Sequence, residues 1–471
     1  METPPLCPGC RERDVRIAAL ERRVAELEAL VRDLLARLGA HSGNSSLPPS
    51  ANPLGAPKPV VKKKSQRRPG GQPGHEPHLK ALLPPQRVSR VEAFVPTHCQ
   101  QCHADLPNEA AAHDPPPTRF QTIELRRDLT DVTEYQGHAR TCRACGTVTR
   151  EVIAAAIREQ SIGPRLTATL SYLSGCHGLS KRGIEEIAVA VFDAPVSLGT
   201  VANLEQEVSA ALQPAHQEAL AAVRNAAVKN VDETSWKLLG KLCWLWAAAS
   251  NGVVAFVIHG KRSALGLAAL LGAELHGILS SDRWGVYNAV PAERRQVCWA
   301  HLKRDFQKIV DRGGSSALVG LEGRKLVKKV FAAWHAFQEG QWTRAQLQAQ
   351  LAPVMNRLNR LLQEGAILGT DKTVATFCEN VLVLEPALWT FARVDGVEPT
   401  NNAIERLLRR AVLWRKRSFG CTSEAGCRFV ERILTVVQTR RLQGQSVLDY
   451  LHDALRAHRA GQTCPALMPA G

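Results

Sequence analysis

The chain has 471 residues, with 60 Lys and Arg against 44 Asp and Glu for a net charge of +16. That length suits about two to four domains, and the basic excess favours a polyanionic partner over a neutral one. A membrane span is not expected, because the most apolar stretch, Leu242 to Ile258, is interrupted at Ser250, Asn251 and Gly252. The opening METPPLCPGC also lacks the basic and apolar regions of a signal peptide. The expectation is a cytoplasmic protein whose 13 cysteines are thiols or metal ligands rather than disulfides.

In residues 1–40, Ile17, Leu20, Val24, Leu27, Val31, Leu34 and Leu38 alternate spacings of three and four. This heptad seam predicts a short coiled coil and, through it, a homo-oligomer, although so few heptads need help from other contacts. Cys7 and Cys10, just before it, read either as free thiols or as half of a zinc site shared in a parallel dimer. Residues 41–85 are rich in Pro, Gly and Ser and carry Lys62, Lys63, Lys64, Arg67 and Arg68. Such a segment reads as a flexible linker that tracks a DNA backbone without reading sequence, or as a plain tether. Residues 86–155 hold two CxxC pairs, Cys99 with Cys102 and Cys142 with Cys145, amid strand-like stretches at 118–125 and 131–141. Four thiolates suit a tetrahedral structural Zn2+, which would tie down a small zinc-ribbon-like module.

Residues 156–225 read as three helical pieces, broken at Gly178 and Pro195 and capped by Ser180 and Ser197. Their spacing allows a helix-turn-helix in which Thr200, Asn203 and Gln206 face base edges. Glu205 and Glu207 oppose close phosphate contact and keep a plain helical bundle open as the alternative.

Residues 226–301 and 396–440 carry the catalytic candidates. A first strand ending at Asp232, two apolar strands joined by the Ser-Asn-Gly turn, a helix and a strand ending at Asp282 follow in order. Strand, hairpin, helix, strand describes a ribonuclease H-like core, with the two aspartates meeting at one edge of the sheet. Residues 302–395 read as an inserted helical domain, and 441–471 as a last helix and tail. Beyond the insertion, Ile404, Leu407, Leu408, Ala411 and Val412 form the buried arc of a helix with Glu405 at its border. Asn401 or Asn402 is the expected cap, and Arg409 lies on the same side as the acid. Glu398, the rival acid, precedes Pro399 and so belongs to extended backbone. Hard divalent cations take oxygen ligands, so Asp232, Asp282 and Glu405 point to Mg2+ or Mn2+ and phosphate chemistry, although each acid alone also reads as a turn, cap or ion-pair residue. Arg406, Arg409, Arg410, Arg415, Lys416 and Arg417 place phosphate-binding charge beside them. Cys298 and His301 form a C-x2-H unit that reads either as a buried strand cysteine and a helix-start histidine or as support near the metals. The whole is a multidomain α/β chain: coiled coil, zinc-ribbon-like module, helical DNA-binding region, then the catalytic core with its helical insertion.

The segments VDETSW, SDRWGVYN, QVCWAHLKRDF, PTNNAIERLLRR and RKRSFG, with NSSLPPSANP and RRPGGQPGH upstream, resemble the transposases of the insertion sequence 66 family along nearly the whole chain. The SSLPP segment departs in a minor way, since many relatives have Lys before the prolines. The resemblance implies a DDE transposase, bacterial and nucleoid-associated, acting on the inverted-repeat ends of its own element and on target DNA, with element-encoded accessory proteins as further partners. Asp232, Asp282 and Glu405 are then its metal triad. Two Mg2+ ions would activate a water and stabilise the leaving oxygen, and the 3′-hydroxyl so freed would attack the target. A ribonuclease H-like nuclease or resolvase, which cuts without joining, and a non-catalytic DNA-binding regulator are the alternatives.

Overall fold

The computed structural model describes residues 15–28, 31 and 82–469, except 110, 113, 127, 128, 159, 368 and 370. The chain divides into two units, Lys58–Asp131 and the remainder. Expectations for Cys7, Cys10, Leu34, Leu38 and the linker residues Lys62, Lys63, Lys64, Arg67 and Arg68 lie outside the described residues. Among those described, no helix is long and apolar enough to cross a membrane.

In the smaller unit, Leu83 exchanges two hydrogen bonds with the Gln121 side chain, at 2.8 and 3.1 Å. Residues 118–125, expected to be strand-like, are not in a strand. Their alternating pattern is a weak prior, and a strand needs a partner for its backbone groups. In the larger unit, residues 15–28 are helical, with Ile17, Leu20, Val24 and Leu27 all exposed. Of the stretch 131–141 only β1 (Ala139–Thr141) is a strand, paired antiparallel with β2 (Val148–Arg150).

After a short helical turn at Ala155–Arg158 come α1 (Pro164–His177), α2 (Lys181–Phe192), α3 (Leu198–Ala211) and α4 (Gln213–Asn225). Ser180 and Ser197 cap α2 and α3 as expected, accepting from the N–H groups of Gly183 and Thr200. Gly178 ends α1 in the left-handed region, where a side chain would be strained. Leu170, Ile184, Ala188, Val196, Val201 and Leu204 pack α1 to α3 around a small core of their own.

The main sheet has five strands, β3 (Val228–Leu238), β4 (Lys241–Ser250), β5 (Val253–His259), β6 (Ile278–Ser281) and β7 (Arg295–Val297), in the order β5-β4-β3-β6-β7. The first three form an antiparallel meander, and β6 and β7 join β3 in parallel. Asp232 does not end its strand. β3 runs on to Leu238, because Leu239 and Gly240, both at positive φ, turn the chain back and β4 pairs with it all the way. Crossover from β5 to β6 goes through α5 (Ala264–Leu271), where Gly266 lies so close to Trp246 that a Cβ would come within 2.5 Å of the indole nitrogen.

After β7 come α6 (Trp299–Arg312), α7 (Ala317–Gln338), α8 (Arg344–Ile367) and α9 (Lys372–Val383), around a separate apolar core that includes Trp299, Phe306, Leu358 and Trp389. Trp334 belongs to this core, packed edge-on against Phe391. The chain returns to the sheet with α10 (Asn402–Ser418), α11 (Glu424–Leu442) and α12 (Val447–Arg459). Ile404, Leu408 and Ala411 of α10 join Trp236, Leu245, Ala247, Phe256 and Leu434 on one face of the sheet. Burial contributes about 1.5–3 kcal/mol for each large aliphatic or aromatic side chain there.

α11 also closes the sheet edge. Glu431, Thr435 and Thr439, each one turn apart, accept from the N–H groups of Ile258, Phe256 and Val254 at 2.5, 3.1 and 3.2 Å. From the other side, Nε2 of His216 on α4 meets the Phe256 carbonyl at 2.8 Å. These side chains stand where a sixth strand would pair, so β5 presents no open edge for another chain to join.

Candidate active site at the carboxyl ends of the parallel strands

The parallel register builds the site. Asn230 pairs with Ser280, so two residues further along both strands Asp232 comes level with Asp282. Ser281 pairs with Val297, and the Cys298 N–H donates to the Ser281 carbonyl at 2.9 Å, which continues the row onto the end of β7. Sites of open α/β sheets form at such carboxyl ends. Side chains alternate along β3, so Asp232 shares the face of Trp236, the face covered by α10, while Glu233 points to the other.

Glu405 arrives by a separate route. The Trp299 N–H donates to the Pro399 carbonyl at 2.9 Å, and the Asn401 N–H donates to Cys298 Sγ at 3.4 Å. These bonds lay the segment before α10 against the end of β7 and set the first turn of α10 opposite the first turn of α6. Glu405 Oε1 then lies 3.7 Å from both His301 Nδ1 and Arg304 Nη2. The side chains that approach Glu405 are therefore His301 and Arg304 of α6, not the expected Arg409 four residues further along α10. Asn401 occupies the cap position as expected, but its side chain makes no capping bond; it is wholly buried. Glu398 is exposed.

Electrostatics tie the three acids together. Burial, first, and then the charges of Glu233, Asp282 and Glu405 push the Asp232 carboxyl well above the usual range, against one hydrogen bond from the Glu233 N–H at 2.9 Å. Asp282 accepts from the Trp284 N–H at 2.9 Å, an Asx turn that fixes its side chain. Nearby, burial lowers His301, and the Arg304 charge lowers it further; burial also pushes the Cys298 thiol up to about 11.

Two supporting residues, Arg295 and Glu233, are not singled out by the sequence, although Glu233 lies within VDETSW. Arg295, wholly buried on β7, donates to the Asp282 carbonyl at 2.7 Å, to Asn288 Oδ1 at 2.9 Å and to Ser281 Oγ at 3.2 Å. Glu233, on the far face, accepts from Tyr287 Oη at 2.6 Å and from Arg262 at 2.6 and 2.8 Å. Arg262 itself lies over the Trp284 ring, 4.1 Å from its centre.

The basic residues of α10 divide in two. Arg406, Arg409 and Lys416 are exposed. Arg410 and Arg417 donate to the carbonyls of Cys176 and His177, each at 3.0 Å, and so satisfy the last turn of α1. Arg415 is spent on β3, on Ser235 Oγ at 2.5 Å and Thr234 Oγ1 at 3.1 Å. On α3, Asn203 and Gln206 are exposed while Thr200 is half-buried. Glu205 and Glu207 are turned to Lys181 and Arg459, so these acids are already paired within the protein.

The CxxC pairs are built alike. Cys99 accepts from the His103 N–H at 2.9 Å and donates its own N–H to Ala104; Cys142 accepts from the Gly146 N–H at 2.9 Å and donates to Thr147. His103 and Gly146 both take positive φ, at 58° and 75°. Hydrogen bonds from the Cys102 and Gln101 N–H groups lower the Cys99 thiol, and those from Thr147 lower Cys145.

Comparison with known proteins gives the family. The family described as Transposase IS66 family matches residues 159–428, more than half of the chain, and a family of unknown function, DUF6444, matches residues 2–81. An uncharacterized protein of Sinorhizobium fredii, y4qI, is 28% identical over 249 residues, 47% of this chain and 44% of its own. A second from the same organism, y4jD, is 24% identical over 292 residues, 56% of this chain and 57% of its own. The chain thus spans about half the length of the curated relatives it matches. On the strength of the family match, this chain belongs to the IS66 family of transposases.

Proposed function

We propose that the chain is a DDE transposase with a ribonuclease H-like core, which binds the ends of its element and carries out metal-dependent cleavage and transfer of DNA strands. The observation that carries this reading is the parallel register that brings Asp232 level with Asp282 on neighbouring strands, with Glu405 on α10 near enough for its charge, like that of Asp282, to act on Asp232. A buried acid crowded by other acids fits a site for divalent cation, and the all-oxygen donor set suits Mg2+ or Mn2+. Bound there, such ions supply activation of the attacking oxygen and stabilisation of the leaving one. The protein's own part is positional. Arg295 holds the main chain at Asp282, the Asx turn holds its side chain, and the Cys298 to Asn401 bridge sets Glu405 above the sheet end. Arg406, Arg409 and Lys416 lie exposed on the same helix as Glu405, where phosphates of an end or a target would run.

The remaining modules support the same reading. The shared build of the two CxxC turns, Cys99 with Cys102 and Cys142 with Cys145, supports each as a zinc knuckle that offers two thiolates to structural Zn2+. The exposed seam from Ile17 to Leu27 supports self-association through a coiled coil, and α2 with α3 offers Asn203 and Gln206 to DNA.

The test uses a pre-cut element end, a target duplex and Mg2+. Wild-type chain is expected to join them, and Asp232→Asn, Asp282→Asn and Glu405→Gln to abolish joining while end binding persists. Joining by any of these variants at the wild-type rate would overturn the triad. Cleavage without joining by the wild-type chain would favour a nuclease or resolvase instead.

A further inference from the structure

Glu405 also belongs to a close donor set of mixed chemistry. We propose that Cys298, His301 and Glu405 bind one transition-metal ion of the zinc class, distinct from the Mg2+-type ions of the carboxylate triad and sharing Glu405 with them. A thiol sulfur, a ring nitrogen and a carboxylate oxygen, one from each, all lie within 4.8 Å of one another. Ligands about 2.0–2.3 Å from a tetrahedral zinc stand roughly 3.3–3.8 Å apart, and His301 Nδ1 is 3.7 Å from Glu405 Oε1.

Unmet polar groups point to the same place. His301 Nδ1 and Glu405 Oε1 are buried and neither has a hydrogen-bond partner, and the same holds for both side-chain polar atoms of Asn401. Buried polar atoms are almost always satisfied, so two such atoms on His301 and Glu405, the residues grouped with the Cys298 thiol, mark a site that another group completes. The Asn401 N–H already donates to Cys298 Sγ, which fixes where the sulfur points. Metal binding would release the Cys298 proton to solvent and leave a sulfur–metal bond. Arg304 Nη2 stands 3.7 Å from the same Glu405 oxygen, so guanidinium and ion would share that carboxylate.

Sulfur and imidazole select the class of ion. A hard Mg2+ would take the carboxylate alone, whereas Zn2+ or Co2+ takes all three donors. The ion would fasten α10 to α6 at the end of β7. Its binding does not depend on strand transfer; only its role in steadying Glu405 rests on the proposed function.

The experiment measures zinc per chain in the full-length protein by plasma mass spectrometry, after growth with zinc and gel filtration. Cys298→Ala and His301→Gln are each expected to hold one ion fewer than wild type, with Asp282→Asn unchanged. His301→Cys, which replaces one zinc ligand by another, is expected to keep the ion, and so separates lost ligation from lost folding. Wild-type zinc content in folded Cys298→Ala and His301→Gln overturns the proposal, as does equal loss in His301→Cys and His301→Gln. Strand transfer that requires Asp232 and Asp282, alongside unchanged zinc in the Cys298 and His301 variants, would sink this site and leave the proposed function. Loss of one zinc in those variants, with no strand transfer from the wild-type chain, would do the reverse.

Discussion

The backbone N–H of Asn401 reaches the sulfur of Cys298 at 3.4 Å, across 103 residues of chain. Between them lie α6 to α9, which share an apolar core of their own. The bridge brings the chain back to the strand end it left, so the position of Glu405 depends on this short junction rather than on the length or content of the helices between.

Asp232 is the most crowded acid of the site. It holds its proton more tightly folded than unfolded, so its contribution to stability is complete below the unfolded carboxylate range and is lost as pH rises through the folded value. At neutral pH without metal, Asp232→Asn is therefore expected to raise the melting temperature. Adding Mg2+ should raise that of wild type and much less that of the variant, in a thermal melt with and without the ion.

His216 predicts an acid limb of the stability curve. Burial lowers it from 6.5 to about 4, so the unfolded chain takes up a proton that the folded chain refuses. Stability from this group is full above pH ~6.5 and falls as pH drops towards ~4, by about 3 kcal/mol in all. His216→Gln, which cannot take up that proton, is expected to flatten this limb in urea melts run between pH 4 and 7.

The ladder on β5 makes a separate prediction. Thr435→Val keeps the shape but leaves the Phe256 N–H without its partner, and an unsatisfied buried donor costs about 1–3 kcal/mol. Thr435→Ser should recover most of that. Equal denaturation midpoints for the Val variant and wild type would refute the role given to this side chain.

Arg295 holds three acceptors at the root of the site. Its replacement by Met is expected to destabilise the fold by about 2–4 kcal/mol, since acceptors would be left buried and unpaired. Mg2+-dependent cleavage should fall further than the loss of folded protein explains, which activity per folded chain would show.

The two groups of arginines on α10 separate by salt dependence. Arg406→Ala and Arg409→Ala should each lower the log–log salt slope of DNA binding by roughly 0.9 while leaving the melting temperature near wild type. Arg415→Ala should do the opposite, because its guanidinium is spent on Thr234 and Ser235.

Local chemistry made much of this legible in the residues themselves. Ser180 and Ser197 mark where two helices begin, because each oxygen satisfies a free N–H of the first turn. The order of strands, hairpin and helix and the buried stripe of Ile404, Leu408 and Ala411 could be read from periodicity, and the aspartates as partners across neighbouring strands from that order together with the rules of strand connection. Tertiary structure decided what periodicity cannot carry. That Asp232 lies mid-strand follows from the partner β4, which extends the pairing to Leu238. Asn401 turned its side chain away from capping, and His301 and Arg304 took the place given to Arg409, because α6 and α10 meet there. Arg410, Arg415 and Arg417 look from sequence like Arg406 and Arg409, yet they bind the protein itself. A guanidinium donates to whatever acceptor lies within reach, and only the packing of α10 on α1 and β3 determines which acceptors those are.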